Sequence, residues 1–211
     1  MTIMGYQDHP ISVRTSLDHK EKLCIVYPGF GYTLTCPIFF YLFPMLEMLK
    51  IDSYGIDLRY AESMKGVSQE EGKKWLNTDS QIIGDHVEEW VAPYKEAMFI
   101  GKSLGTYHMK NQIQQGVIRE TDRLVWLTPA DGIKSFYAYA RQLPNRSLLI
   151  YGTADPRFSP EDAGTIISAN RLEVMELPAC GHSFEVRGNL EQSIENVKIV
   201  IQRIRAFLIA P

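Results

Sequence analysis

AMFIGKSLGTYHMKNQIQQ, residues 97 to 115, is the stretch on which the reading of this chain turns. AMFI (97 to 100) has the composition of a strand buried on both faces, Gly101 to Gly105 forms a turn, and LGTYHMKNQIQQ has helical composition behind it. A strand that turns so sharply into a helix strains the residue at its apex and crowds the neighbours. Glycine is therefore wanted two residues on either side of the apex. The apex here is Ser103, whose hydroxyl would project above the sheet while the helix N-terminus beneath it favours developing negative charge. The pattern alone is short and also fits a serine in an ordinary turn. Its place after a strand and before a helix makes Ser103 the candidate nucleophile.

Working outward, LCIVY (23 to 27), GIDL (55 to 58), LVWL (124 to 127), SLLIY (147 to 151) and LEVMEL (172 to 177) read as further strands. ISVRTSL (11 to 17) adds an edge strand. Between them, Thr78 and Gln81 have the spacing of a capping box ahead of Ile83, Val87, Trp90 and Tyr94 on one helical face. Ser159, Pro160 and Asp162 signal a second helix start. The last helix places Leu190, Ile194, Val197, Ile201, Ile204 and Leu208 on one face, and Pro44 predicts a kink or two short helices after Pro37. Strand and helix alternate about six times, which predicts an α/β fold: a mostly parallel, doubly wound sheet with helices on both faces and a ligand site at the carboxyl ends of the strands.

Composition narrows the function classes. The 211 residues suit one domain spanning 1 to 211, and 45% hydrophobic with 22% charged residues is ordinary for a globular protein. The net charge is -3, with the 22 basic residues scattered, so nucleic acid is not an expected partner. The first residues lack the pattern of a signal peptide, and no run approaches the roughly 18 apolar residues of a membrane span. Cys24, Cys36 and Cys180 are widely spaced, which argues against a disulfide framework or a zinc site. The expectation is a cytoplasmic protein with reduced thiols, no membrane association and no metal or organic cofactor.

A serine hydroxyl needs a base to take its proton. Of five histidines, His182 in PACGHSF follows the last strand, downstream of Ser103 and of a loop acid. Otherwise it is part of a turn. His9, His19, His86 and His108 read as surface or packing residues. Asp155, in the Gly and Pro loop after SLLIY, is the first choice of acid, and Asp131 in WLTPADG is its competitor at a neighbouring strand end. Either aspartate also suits a turn. For an oxyanion hole, the backbone N–H of Leu104 follows the nucleophile and that of Phe30 lies in the glycine-flanked loop YPGFGYT (27 to 33). Tyr32, Phe158 and Phe184 fall in strand-end loops and either line a substrate pocket or pack as core. Lys102 points away from the nucleophile and has no assigned role, and Glu185 either steers the histidine loop by hydrogen bonding or is solvated, the second reading being preferred.

GKSLG, GTADP and GHSFE in that order after strands, with PGFG after the first strand, resemble the α/β-hydrolase superfamily, in particular its small members related to dienelactone hydrolases. The resemblance runs from about residue 21 to the last helix. It implies a serine hydrolase with Ser103, Asp155 and His182 as triad and Phe30 and Leu104 as oxyanion donors, acting on a small carboxylic ester or thioester through an acyl-enzyme. Two departures are visible. Pro28-Gly29 stands where many members have His-Gly, and the elbow carries serine where dienelactone hydrolases proper use cysteine. Residues 128 to 146, where many relatives insert a cap domain, leave no room for one; the polar segment 59 to 75 reads as a flap or short helix. A peptidase or acyltransferase on the same triad, or a non-catalytic binding protein of the same fold, is the alternative. The oligomeric state is not legible.

Overall fold

Leu23, Ile25 and Tyr27 point to one side of their strand and Cys24 and Val26 to the other, and all five are fully buried. That is why LCIVY shows no polar alternation: the strand is covered on both faces. The same division runs through the neighbouring strands. Phe99, Leu124, Trp126, Leu149 and Tyr151 join one core, and Met98, Ile100, Val125, Leu127, Leu148 and Ile150 join the other. A computed structural model describes residues 1 to 162 and 164 to 210.

In chain order the elements are β1 (Thr2–Met4), β2 (Pro10–Ser16), β3 (Lys22–Tyr27), α1 (Pro37–Met48), β4 (Asp52–Asp57), α2 (Tyr60–Ser63), α3 (Gln69–Val91), β5 (Glu96–Lys102), α4 (Gly105–Gln114), β6 (Arg123–Leu127), α5 (Ile133–Ala140), β7 (Ser147–Gly152), β8 (Leu172–Leu177) and α6 (Leu190–Ile209). The strands form one eight-stranded sheet in the order β1-β2-β4-β3-β5-β6-β7-β8. From β4 to β8 every pairing is parallel, whereas β1 and β2 add antiparallel strands at one end. The expected fold class stands, with eight strands in place of about six. The segment expected as an edge strand is β2, second from the edge. β3 pairs with β4 on one side and β5 on the other, so the chain reverses its direction of winding there. The crevice outside the carboxyl ends of β3 and β5 is the topological switch point, where open α/β sheets bind ligands.

Several helices depart from expectation. α3 begins at Ser68, whose Oγ accepts a hydrogen bond from Glu71 N–H at 3.2 Å, so Thr78 lies inside the helix. Both Ser68–Glu71 and Thr78–Gln81 have capping-box spacing, and the earlier one acts because Trp75 and Asp79 are held by the N-terminal segment. Tyr6 packs on Trp75, and its N–H donates to Asp79 Oδ1 at 2.6 Å. α1 is continuous through Pro44. Pro44 sits on the exposed face, where water can serve the carbonyl that its missing N–H leaves unbonded. In α6 the buried face is Asn196, Val200, Ile204, Phe207 and Leu208, while Leu190 and Ile194 are exposed. The start signal at Ser159 yields a single 3-10 turn, Pro160–Asp162, and residue 163 of that expected helix lies outside the described residues. The connection 128 to 146 carries α5, whose Ile133, Phe136 and Ala140 are buried against the sheet rather than raised over it as a cap. Among the described residues no helix is long and apolar enough to cross a membrane.

Candidate active site

Ser103 adopts φ 50°, in the left-handed region that a residue with a side chain seldom enters. Such strain costs about 1–3 kcal/mol and persists where the surroundings over-determine it. Here they do. The Ser103 N–H donates to Leu127 O at 2.9 Å, and its carbonyl accepts from Thr106 N–H at 3.0 Å and Thr106 Oγ1 at 2.6 Å. A Cβ on Gly105 would stand 2.3 Å from the Tyr27 carbonyl oxygen, and one on Gly101 would stand 2.4 Å from Met109 Sδ. The two glycines thus permit the contact of α4 with β3 and β5. The loop after β3 closes over the turn from the other side, because a Cβ on Gly29 would lie 3.2 Å from Ser103 Cβ.

Asp155 and His182, from the loops after β7 and β8, meet at 2.6 Å between Oδ2 and Nδ1. The other carboxylate oxygen, Oδ1, accepts the Arg157 N–H at 2.9 Å. Burial pushes the Asp155 carboxyl up, but the His182 hydrogen bond, the Arg157 N–H and the nearby charges outweigh it and hold the group below its usual range. An ionised carboxylate only accepts, so Nδ1 carries the imidazole proton and Nε2 is left as the acceptor. Arg157 Nη1 lies 3.4 Å from Nδ1, a longer contact that the 2.6 Å bond outcompetes. The two loops are laced together: Ala154 N–H donates to Cys180 O at 2.9 Å and Thr153 N–H to Leu177 O at 3.0 Å. Asp131, the competing acid, is half exposed and pairs with Lys110 at 2.6 Å. Among the described residues no hydrogen bond joins Ser103 Oγ to His182, as is common before substrate tightens such a pair.

The Phe30 and Leu104 N–H groups donate to no protein acceptor among the described residues. Gly29 N–H, by contrast, is taken by Tyr32 O at 3.0 Å, and Phe30 O accepts from Ala61 N–H at 3.1 Å. The loop is therefore fixed on both sides of Phe30. Of the aromatic candidates, Phe30 is exposed and Tyr32 half-buried, its hydroxyl accepting from Ile38 N–H at 3.1 Å. Phe184 is fully buried and Phe158 nearly so, stacked on Tyr151, and the two belong to the cores on opposite faces of the sheet. His108 is core, lying between Tyr27 and Tyr60, and burial pushes it down to about 3. His86 stacks on Trp90 and His9 meets Trp75 edge-on. An open recess of about 580 Å³ lined by His9, Asp57, Arg59 and Glu62 includes none of Ser103, Asp155 and His182.

Three groups carry more than the sequence reading assigns them, and for Glu185 the less favoured alternative, a hydrogen bond that steers the histidine loop, is the one observed. Glu185 is exposed yet shapes the histidine loop, its Oε2 accepting the Ser183 N–H at 2.7 Å and its carbonyl the Gly181 N–H at 2.7 Å. Thr128 sits at φ 41°, unusual for a β-branched residue. Lys102 is fully buried, with Nζ donating to Thr128 Oγ1 at 2.8 Å and to His182 O at 2.7 Å. The signal for Lys102 was present: alternation along β5 continues from Met98 and Ile100 to 102, the face that packs on α1 and α6.

Burial brings the Lys102 ammonium down from 10.5 to about 7, against the opposing pull of Asp155 and Glu185. Below pH 7 the folded and unfolded chains both hold this proton, and the cost of burying the charge is at its maximum. Between pH 7 and about 10.5 the folded chain sheds it first, the unfolded chain binds more protons, and stability rises with pH. The Tm difference between wild type and Lys102→Met is expected to shift toward the wild type from pH 7 to pH 10. A difference that stays flat contradicts the titration.

No protein-family model matches the sequence, and no curated protein matches it. Solved structures do. One is a protein of unknown function from Agrobacterium tumefaciens, provisionally an alpha/beta hydrolase, at 15% identity and TM-score 0.68, covering 99% of this chain and 95% of its own. Est1E from Butyrivibrio proteoclasticus matches at 12% identity and TM-score 0.69, over 99% and 96% of the two chains. A dienelactone hydrolase from Anabaena variabilis matches at 14% identity and TM-score 0.68, over 99% and 94%. Coverage is nearly complete in both directions, and at these identities what is shared is the architecture. The chain has the α/β-hydrolase fold.

Proposed function

We propose that the protein is a serine hydrolase that cleaves small carboxylic esters or thioesters through an acyl-enzyme intermediate. The observation that carries this reading is the strained Ser103, held at the switch point of the sheet on the same strand-end surface as the 2.6 Å Asp155–His182 pair. His182 Nε2 takes the Ser103 proton as Oγ attacks the carbonyl carbon. The Phe30 and Leu104 N–H groups stabilise the oxyanion, and ionised Asp155 stabilises the imidazolium. His182 then protonates the leaving alcohol or thiol, and the acyl group stays on Ser103. In the second half His182 removes a proton from water, hydroxide adds to the acyl carbon, and the acid leaves with Ser103 reprotonated. By analogy of fold, the neighbours add support: Est1E has been solved with ferulic acid bound, and another neighbour is a dienelactone hydrolase. A panel of acyl esters and thioesters, run beside Ser103→Ala, tests the reading; turnover that is equal in the two proteins rejects it.

Acyl-chain preference follows from what covers the site. The β6–β7 connection is occupied by α5 packed on the sheet, and Phe158 and Phe184 are tied up in packing. Binding energy for the acyl group must come from a short surface near the elbow. Each methylene buried there contributes about 0.8 kcal/mol, roughly fourfold in kcat/KM, until that surface is used up. On p-nitrophenyl esters kcat/KM is expected to rise over the first few acyl carbons and then flatten or fall, with no jump at an oil-water interface. Dodecanoyl esters far better than butanoyl ones would show an acyl-binding surface elsewhere.

A further inference from the structure

We propose that Lys102, the residue inside the elbow next to Ser103, is the positioning residue of the histidine: its amino group reaches beneath the turn and holds the backbone carbonyl of His182. The inference rests on the reading of Ser103 and His182 as nucleophile and base. If it holds, the two reacting side chains are set against each other by adjacent residues of one strand end, and the β8 loop is not left to place the imidazole alone.

Four features support this. The hydrogen bonds inside the histidine loop, Gly181 N–H to Glu185 O, Phe184 N–H to Gly181 O and Ser183 N–H to Glu185 Oε2, fix its shape, and Ala154 N–H to Cys180 O ties it to the acid loop. None of these reaches the elbow, whereas the 2.7 Å bond from Lys102 Nζ does. Second, the amino group is itself located by a fixed partner, Thr128 Oγ1 at 2.8 Å, and by the rings of Tyr32 and Phe184, whose centroids lie 4.5 and 5.5 Å away. Third, no carboxylate lies within ion-pair distance of Nζ among the described residues, so the amino group is held in the interior by its two hydrogen bonds and the two rings and not by a direct ion pair. An apolar side chain would fill the space at lower cost. Asp155, Glu185, Arg157 and Cys36 act on it only from farther off, and His182 presents its carbonyl. Fourth, Ser103, Thr128 and Phe184 all have positive φ, at 50°, 41° and 68°, and all three adjoin Lys102 or its contacts. Strain gathered around one buried donor marks a place held for position.

A displacement of about 1 Å in a catalytic group costs on the order of 100-fold in rate. The test compares wild type, Lys102→Met, Lys102→Gln and Thr128→Val by kcat and KM on p-nitrophenyl butanoate, by the rate constant of fluorophosphonate acylation, and by circular dichroism. Lys102→Met is expected to stay folded and lose on the order of 100-fold in kcat and in acylation rate, with KM changed by less than about threefold. Thr128→Val removes one of the two hydrogen bonds that locate the amino group but keeps the bond to His182, so it is expected to lose no more than about tenfold in kcat, clearly less than Lys102→Met. Should Lys102→Met fail to fold, Lys102→Gln, whose shorter side chain stops short of the carbonyl, is expected to show the same fall in kcat at unchanged KM. The proposal is overturned if an active wild type and Lys102→Met agree within threefold, if Thr128→Val loses as much as Lys102→Met, or if neither Lys102 variant folds. A wild type with no esterase activity and no acylation instead rejects the hydrolase reading, and it does so before any variant is compared.

Discussion

Ser103→Ala, His182→Ala and the double variant are expected to lose kcat/KM on a short ester by nearly the same factor, on the order of 10⁴ to 10⁶. The hydroxyl is a poor nucleophile without a base, and the imidazole has nothing to activate without the hydroxyl. Removing either therefore removes the covalent pathway, and removing both removes nothing more. The rate that survives comes from the backbone N–H groups of Phe30 and Leu104, which none of these substitutions touches. Losses that add in log rate across the two single variants would mean that the residues contribute independently, and the shared mechanism would be wrong. Circular dichroism should report folded protein in every case, since Ser103 Oγ supports no part of the elbow; its turn is held by backbone bonds and by Thr106.

Asp155→Asn is expected to lower kcat by about 10⁴-fold while leaving the fold intact. The reason lies in the partner of the other carboxylate oxygen. Oδ1 accepts the backbone N–H of Arg157, so an asparagine must keep its carbonyl oxygen there and turn its NH₂ toward His182. That NH₂ donates to Nδ1, the proton moves to Nε2, and the imidazole can no longer take a proton from Ser103. Asp131→Asn removes only a partly exposed ion pair with Lys110 and should leave kcat within about twofold. Measuring both variants on one ester separates the candidate acids. A reversed order of effects would make Asp131 the acid and the Asp155–His182 bond structural.

The central strands and the elbow were legible because sterics and burial leave few options there. A run such as LCIVY or SLLIY has to be covered on both faces, and glycines flanking a serine after AMFI have little reason to recur except where a helix and a strand press together. Asp155 was ranked above Asp131 from loop position, and the two carboxylates differ in the structure by a partner that no spacing reveals: one finds an imidazole, the other the Lys110 ammonium. The start of α3 was misread because two capping boxes compete and the choice depends on Tyr6 meeting Trp75 and Asp79, a contact between distant segments. Phe158 and Phe184 read equally as pocket walls or as core in the sequence, since an aromatic residue in a loop carries no mark of which way it faces. Lys102 was the clearest loss. It carries no role in the sequence reading, although strand alternation places it in the interior, where Thr128 and the His182 carbonyl receive its hydrogen bonds.

The most direct measurement is covalent. Native protein incubated with a fluorophosphonate probe, digested and mapped by mass spectrometry, is predicted to carry one phosphonyl group, on the peptide that contains Ser103. Labelling should be lost in Ser103→Ala, strongly slowed in His182→Ala, and absent from the heat-unfolded wild type, since reactivity depends on the assembled site and not on the sequence around the serine. Ser103 left unmodified in folded protein under conditions that label a known serine hydrolase, or equal labelling of native and unfolded chains, would contradict the account.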